Sequence, residues 1–84
     1  MSDDVLERTK TKVVALAREI AEKDLDENLD PLSAGLDSIA TMELAVRIEE
    51  ELGVPCSIED VFDTPSLATL ARSLAERIEQ AGVR

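Results

Sequence analysis

A single aromatic side chain, Phe62, is all that 84 residues offer for filling an interior with rings. The core must therefore be built from Leu, Ile, Val, Ala and Met, a palette that favours helices over strands. A chain of this length has room for one small domain, because a single core this size buries only about 60 to 65% of the unfolded surface. Residues 1–84 are read as that one domain. Apolar residues at 44% and charged residues at 33% fit a folded globule and not a disordered chain. Base stacking on aromatic side chains is excluded by the same shortage.

The net charge of -10 at pH 7 argues against nucleic acid and against an anionic membrane, and it favours partners that present basic patches. Cys56 is the only cysteine, so no internal disulfide can form; it reads as a small buried apolar residue. Without histidine there is no zinc constellation and no His-based catalysis, and no metal site is expected. The mixed-charge N-terminus and the short apolar runs leave no signal peptide or transmembrane segment, so a reducing, cytoplasmic setting is expected.

Ser2, Asp3 and Asp4 supply a cap candidate and early negative charge, and Val5, Leu6, Val13, Leu16, Ala17 and Ile20 then share one helical stripe. These residues predict a first helix over about residues 4–22, with Val14 off the stripe as a scattered surface residue. From Lys23 to Asp37 the periodicity breaks, and Asp, Asn, Pro and Gly mark a long loop. Leu25, Leu29, Leu32 and Leu36 recur along it and are expected to pin it to the core.

The second helix, Ser38 to Leu52, carries two apolar stripes at roughly 100° per residue. Ile39, Met42 and Val46 form one, while Leu44, Ile48 and Leu52, beside Thr41 and Ala45, form the other, roughly opposite. One stripe can face the core; the other is either covered by a neighbouring helix or left for a partner. Glu43 and Glu50 flank the Ile39 stripe, and an acidic rim around a small apolar patch is the layout of a transient docking surface for a basic partner.

Gly53 suits the left-handed end of this helix, and Val54-Pro55 prevents its continuation. Ser57 caps a short third helix with Ile58, Val61 and Phe62 expected inward. Asp63-Thr64-Pro65-Ser66 leads into a fourth helix, with Thr64 as cap and Leu67, Leu70, Ala71, Leu74 and Ile78 inward, ending near Gly82. The fold class is all-α: a small four-helix bundle with a short third helix and a long loop between helices one and two.

Gly35 can take the sharp bend that ends the loop, which places Asp37 and Ser38 at a helix start. First-turn N–H groups there lack internal partners and favour an anion such as phosphate. A serine nucleophile acting alone would need a base, and neither histidine nor a suitably placed lysine stands near Ser38 in the sequence. On its own merits Ser38 is a helix cap or a modified residue.

Gly35-Leu36-Asp37-Ser38-Ile39, followed by Met42-Glu43-Leu44 and Ile48-Glu49-Glu50-Glu51-Leu52-Gly53, resembles the attachment-site signature of acyl and peptidyl carrier proteins. The likeness extends through the long loop, the short helix near Phe62 and the final helix. It implies that Ser38 carries 4′-phosphopantetheine, transferred from coenzyme A by a phosphopantetheinyl transferase, with Gly35 and Asp37 shaping the site. The arm's thiol would hold acyl or aminoacyl groups as thioesters for acyl-loading, condensing and tailoring enzymes with basic docking patches. Ile39, Met42, Glu43, Val46 and Glu50 would be the docking face, and the protein itself would catalyse nothing. Asp63-Thr64-Pro65-Ser66 looks more like carriers of polyketide and nonribosomal peptide assembly than those of primary fatty-acid synthesis, while Ala34 and Arg47 depart from the common pattern. A chain opening at Met1 without a flanking linker suggests a free-standing carrier more than a segment excised from a megasynthase, and a monomer is expected. The rival reading is a helical interaction adaptor in which Ser38 is only a cap and the Ile39 stripe binds a protein.

Overall fold

The computed structural model describes residues 3–82, which places the candidate cap Ser2 outside the described residues. Five helices follow one another: α1 (Asp3–Ala21), α2 (Pro31–Ala34), α3 (Ser38–Leu52), α4 (Ile58–Asp63) and α5 (Leu67–Gly82). The four expected from periodicity are present, and α2 is an additional single turn inside the long loop. α1 packs chiefly on α5 and then on α3, and α4 leans on α3. The apolar faces of these helices meet in one aliphatic core that includes Val13, Leu44, Ile48, Val61, Leu67 and Leu74, each fully buried.

In α1 the expected stripe faces inward through Val13, Leu16 and Ala17, with Val5, Leu6 and Ile20 half-buried. Val14 is buried too, contrary to the surface position expected for it. The cause lies outside the helix. The following loop folds back over α1, where Lys10 pairs with Glu27 at 3.4 Å, and Val14 lies in the recess lined by Lys10, Arg18 and Glu27. Thr9 is buried on this helix as well.

α1 ends without a glycine. Glu22 takes the left-handed conformation at φ 59°, and the N–H groups of Glu22 and Lys23 both donate to the Arg18 carbonyl, at 2.8 and 3.3 Å. Local side-chain bonds then shape the loop: the Asp26 carboxylate accepts the Asn28 N–H at 2.9 Å, and the Asp30 carboxylate caps α2 by accepting the Ser33 N–H at 3.2 Å. Those Ser33 contacts hold the Asp30 carboxyl below its usual range. Pro31 occupies the first position of α2, where its missing N–H costs nothing.

Of the four loop leucines only Leu25 and Leu36 are buried; Leu29 and Leu32 are exposed. The backbone does the pinning expected of those two. The carbonyls of Leu29 and Glu27 accept the N–H groups of Leu67 and Ala68 at 3.2 and 2.9 Å, so the loop satisfies first-turn donors of α5.

Gly53 closes α3 at φ 72°, and its N–H donates to Glu49. Ser57 and Asp60 form a reciprocal capping box on α4, with bonds of 2.8 and 3.0 Å. Only Val61 of the three inward residues expected in α4 is buried, whereas Ile58 and Phe62 are exposed. This helix of six residues packs chiefly on α3, with lighter contact to α2 and α5, and Val61 is the side chain that this packing covers completely. At α5 the cap is Ser66, not Thr64. Ser66 Oγ accepts the Thr69 N–H at 3.0 Å, while the buried Thr64 hydroxyl donates to the Ser66 carbonyl at 2.7 Å and fixes the turn. Pro65 therefore precedes the helix and does not enter its first turn.

Candidate functional site

The start of α3 is assembled from three short-range decisions. Gly35 holds φ 110°, a conformation L-residues rarely adopt, and ends α2 with its N–H on the Leu32 carbonyl at 3.1 Å. Leu36 then inserts into the core. Asp37 adopts extended backbone and caps α3, its carboxylate accepting the Ala40 N–H at 2.8 Å. The Asp37 carbonyl receives two bonds from Thr41, one from the backbone N–H at 2.9 Å and one from the buried hydroxyl at 2.8 Å.

Ser38 is consequently the first residue inside the helix. The capping role attached to it in the adaptor reading belongs to Asp37. Ser38 is exposed, and its hydroxyl makes no hydrogen bond among the described residues. The N–H groups of Ser38 and Ile39, the first two of the helix, likewise have no protein partner among the described residues. A free hydroxyl beside two unfilled donors at the positive end of a helix fits a phosphate ester.

Beyond Ser38 the two stripes of α3 part company. Thr41, Leu44, Ala45 and Ile48 are buried, Leu52 packs partly against them, and Ile39, Met42 and Val46 are 75%, 49% and 55% exposed. Glu43 and Glu50 are exposed and form no ion pair with described residues. Arg47, in the same helix, is turned towards α1, where it pairs with Glu19 at 2.9 Å and with Glu51 at 3.9 Å. Its charge is thereby drawn off the Ile39 stripe, which stays apolar with an acidic rim.

Two residues that support this corner escaped the sequence pattern. Thr41 reads as a neighbour of a core stripe, yet its hydroxyl braces the cap; a threonine four residues after a capping Asp is the available signal. Lys23, distant from Ser38 in the chain, reaches the loop at Gly35. No local pattern marks it, because that contact depends on how the loop folds. Elsewhere, Arg77 of α5 holds Asp60 through two bonds of 3.0 and 3.2 Å and the Pro55 carbonyl at 2.8 Å. With the Ser57 N–H, this keeps the Asp60 carboxyl down at about 2. Burial, aided by the charge of Asp60, pushes the Cys56 thiol up to about 11.

Among the described residues no group of three or more His, Cys, Asp or Glu side chains could hold a metal ion, and no helix is long and apolar enough to cross a membrane. Residues 11–81 match the phosphopantetheine attachment site family, across the whole of the assembly built around Ser38. The chain belongs to that family.

This family carries 4′-phosphopantetheine as a covalent group, and the exposed hydroxyl and open donors at the head of α3 are compatible with it. Relatives of this phosphopantetheine-attachment domain are found within large synthases. It is 44% identical over 50 residues to the polyketide synthase ThaG of Burkholderia thailandensis, covering 60% of this chain and 1% of that protein. It is 40% identical over 55 residues to the non-reducing polyketide synthase stbA of Stachybotrys bisbyi, covering 66% and 2%. A phenolphthiocerol/phthiocerol polyketide synthase of Mycobacterium tuberculosis matches at 29% over 73 residues, covering 87% and 4%. The carrier domain thus spans only a few hundredths of the length of these relatives. No solved structure matches it.

Proposed function

We propose that Ser38 is the attachment point of 4′-phosphopantetheine and that the chain is a non-catalytic acyl carrier of polyketide assembly, at work in the cytoplasm. The observation that carries this reading is the exposed Ser38 hydroxyl at the first position of α3, without a partner among the described residues, beside the open N–H groups of Ser38 and Ile39. In the transfer, Ser38 Oγ attacks the pyrophosphate of coenzyme A at the phosphorus bearing pantetheine. Its proton passes to a base on the phosphopantetheinyl transferase, the new O–P bond forms, and adenosine 3′,5′-bisphosphate leaves with the electrons of the broken P–O bond. Asp37 and Thr41 keep the helix start in register for this step. The group, once bound, supplies a thiol on a flexible arm that holds an acyl chain as a thioester, and tethering substitutes a high local concentration for diffusion.

Polyketide assembly is favoured by the three synthases to which the domain is similar. Successive enzymes must each engage and release one carrier, which calls for a small interface with charge steering. Ile39, Met42 and Val46 with Glu43 and Glu50 suit that need, for basic-rimmed loading, condensing and tailoring partners.

The test is intact mass after incubation with coenzyme A and a promiscuous transferase, for the wild type and Ser38→Ala in parallel, with the modified peptide sequenced. A gain of one phosphopantetheine on Ser38 in the wild type and none in Ser38→Ala is expected. A folded protein that gains nothing beside an active control carrier would overturn the assignment in favour of the adaptor.

A further inference from the structure

Lys23 is the first residue beyond the left-handed Glu22 that ends α1. That turn sends its side chain across to the far end of the loop, where it lies against Gly35. A Cβ built on Gly35 would stand 2.7 Å from Lys23 Cε and closer still to Nζ. The absent side chain is what leaves room for an ammonium group at the bend leading into Asp37 and Ser38.

The electrostatic position of Lys23 is unusual for this chain. It forms no ion pair among the described residues, although the net charge is -10. Arg72 is the other such case; every other described basic side chain is held by a carboxylate. Two of the acids around this corner are otherwise engaged. Arg18 takes Asp24 at 3.7 Å, and the Asp37 carboxylate is committed to the Ala40 N–H.

Ser38 is three positions after Gly35, so their backbones lie within about 11 Å of each other. That upper limit exceeds the Debye length of about 8 Å at physiological salt, so the interaction needs the flexible lysine stem to close the gap. The geometry points to Lys23 as the cationic contact of the phosphodiester on Ser38. This rests on Ser38 being the attachment point. A phosphodiester keeps one negative charge at neutral pH, and Lys23 supplies the counter-charge that the acidic loop around it lacks. The contact restrains the root of the arm at the loop while its thiol end stays free to travel.

The experiment compares the 1Hε and 13Cε resonances of lysine-labelled protein before and after modification of the unmutated chain, with mass confirming the product. Movement of the Lys23 cross-peak, with Lys10 and Lys12 unmoved as internal references, is the expected result. A modified chain in which the Lys23 peak stays in place, or in which all three lysines move alike, overturns the contact and leaves the Ser38 assignment intact. A chain that takes up no phosphopantetheine overturns the Ser38 assignment, and this contact falls with it.

Discussion

Thr41 donates its buried hydroxyl to the carbonyl of Asp37 at 2.8 Å, which ties the capping residue to the second turn of the helix it caps. The Asp37 carbonyl also receives the Thr41 N–H, so losing the hydroxyl orphans no acceptor. Thr41→Val, nearly isosteric, is therefore expected to cost about 1 kcal/mol, the net worth of one hydrogen bond. Urea unfolding of the two proteins measures it.

Capping and modification are divided between adjacent residues. Asp37→Ala removes the acceptor of the Ala40 N–H and should cost about 1 kcal/mol. Ser38→Ala removes an exposed hydroxyl that has no partner among the described residues and should stay within about 0.5 kcal/mol of the wild type. Paired urea titrations that showed the larger loss at Ser38 would contradict this division.

Glu43 and Glu50 hold no cation among the described residues, which leaves their charges for a partner. Reversal of either to lysine is expected to slow transferase modification or acyl transfer several-fold at low salt, with the gap closing as salt rises. The unfolding midpoint should barely change, since neither side chain packs in the core. Equal rates for the wild type and both reversals at low salt would remove the docking role.

Acid should expose the link between α4 and α5. Arg77, with the Ser57 N–H, holds Asp60 at about 2 against an ordinary value of 3.8. The folded state therefore binds this proton less readily than the unfolded one. The stabilisation is complete above about 4 and drains away as pH falls towards 2. Thermal midpoints across that interval should fall for the wild type beyond the general acid loss, and Asp60→Asn should flatten this added slope while starting lower at pH 7.

Cys56 should be chemically quiet. Its side chain is buried and its thiol is pushed up to about 11, so at pH 8 the thiolate is on the order of one molecule in a thousand. A disulfide reagent at pH 8 is expected to leave the folded apo protein unlabelled and to react once in urea. After modification with phosphopantetheine, the arm's thiol should be the single fast-reacting group.

The helices and their inward stripes were legible because periodicity reports a face directly, as Leu44 and Ile48 against Ile39 and Met42 show. Gly53, Ser57 and the Gly35 bend were legible for a similar reason: each meets a local backbone demand that few residue types satisfy. What escaped depends on partners distant in sequence. Val14 is covered by a returning loop, Phe62 stays outside while Val61 beside it is fully buried, and Lys23 meets Gly35 only once the loop has closed. The choice of Ser66 over Thr64 as cap turned on which hydroxyl the turn aims at a free N–H, which spacing alone does not decide.

The aliphatic core has an optical consequence. With no tryptophan or tyrosine, and with Phe62 40% exposed instead of locked in the interior, the protein is nearly dark at 280 nm and gives little near-ultraviolet dichroism. Any indole fluorescence in a mixture with another protein belongs to the other protein. Encounters with this chain can therefore be followed through a partner's own tryptophans, without a dye and without altering either surface.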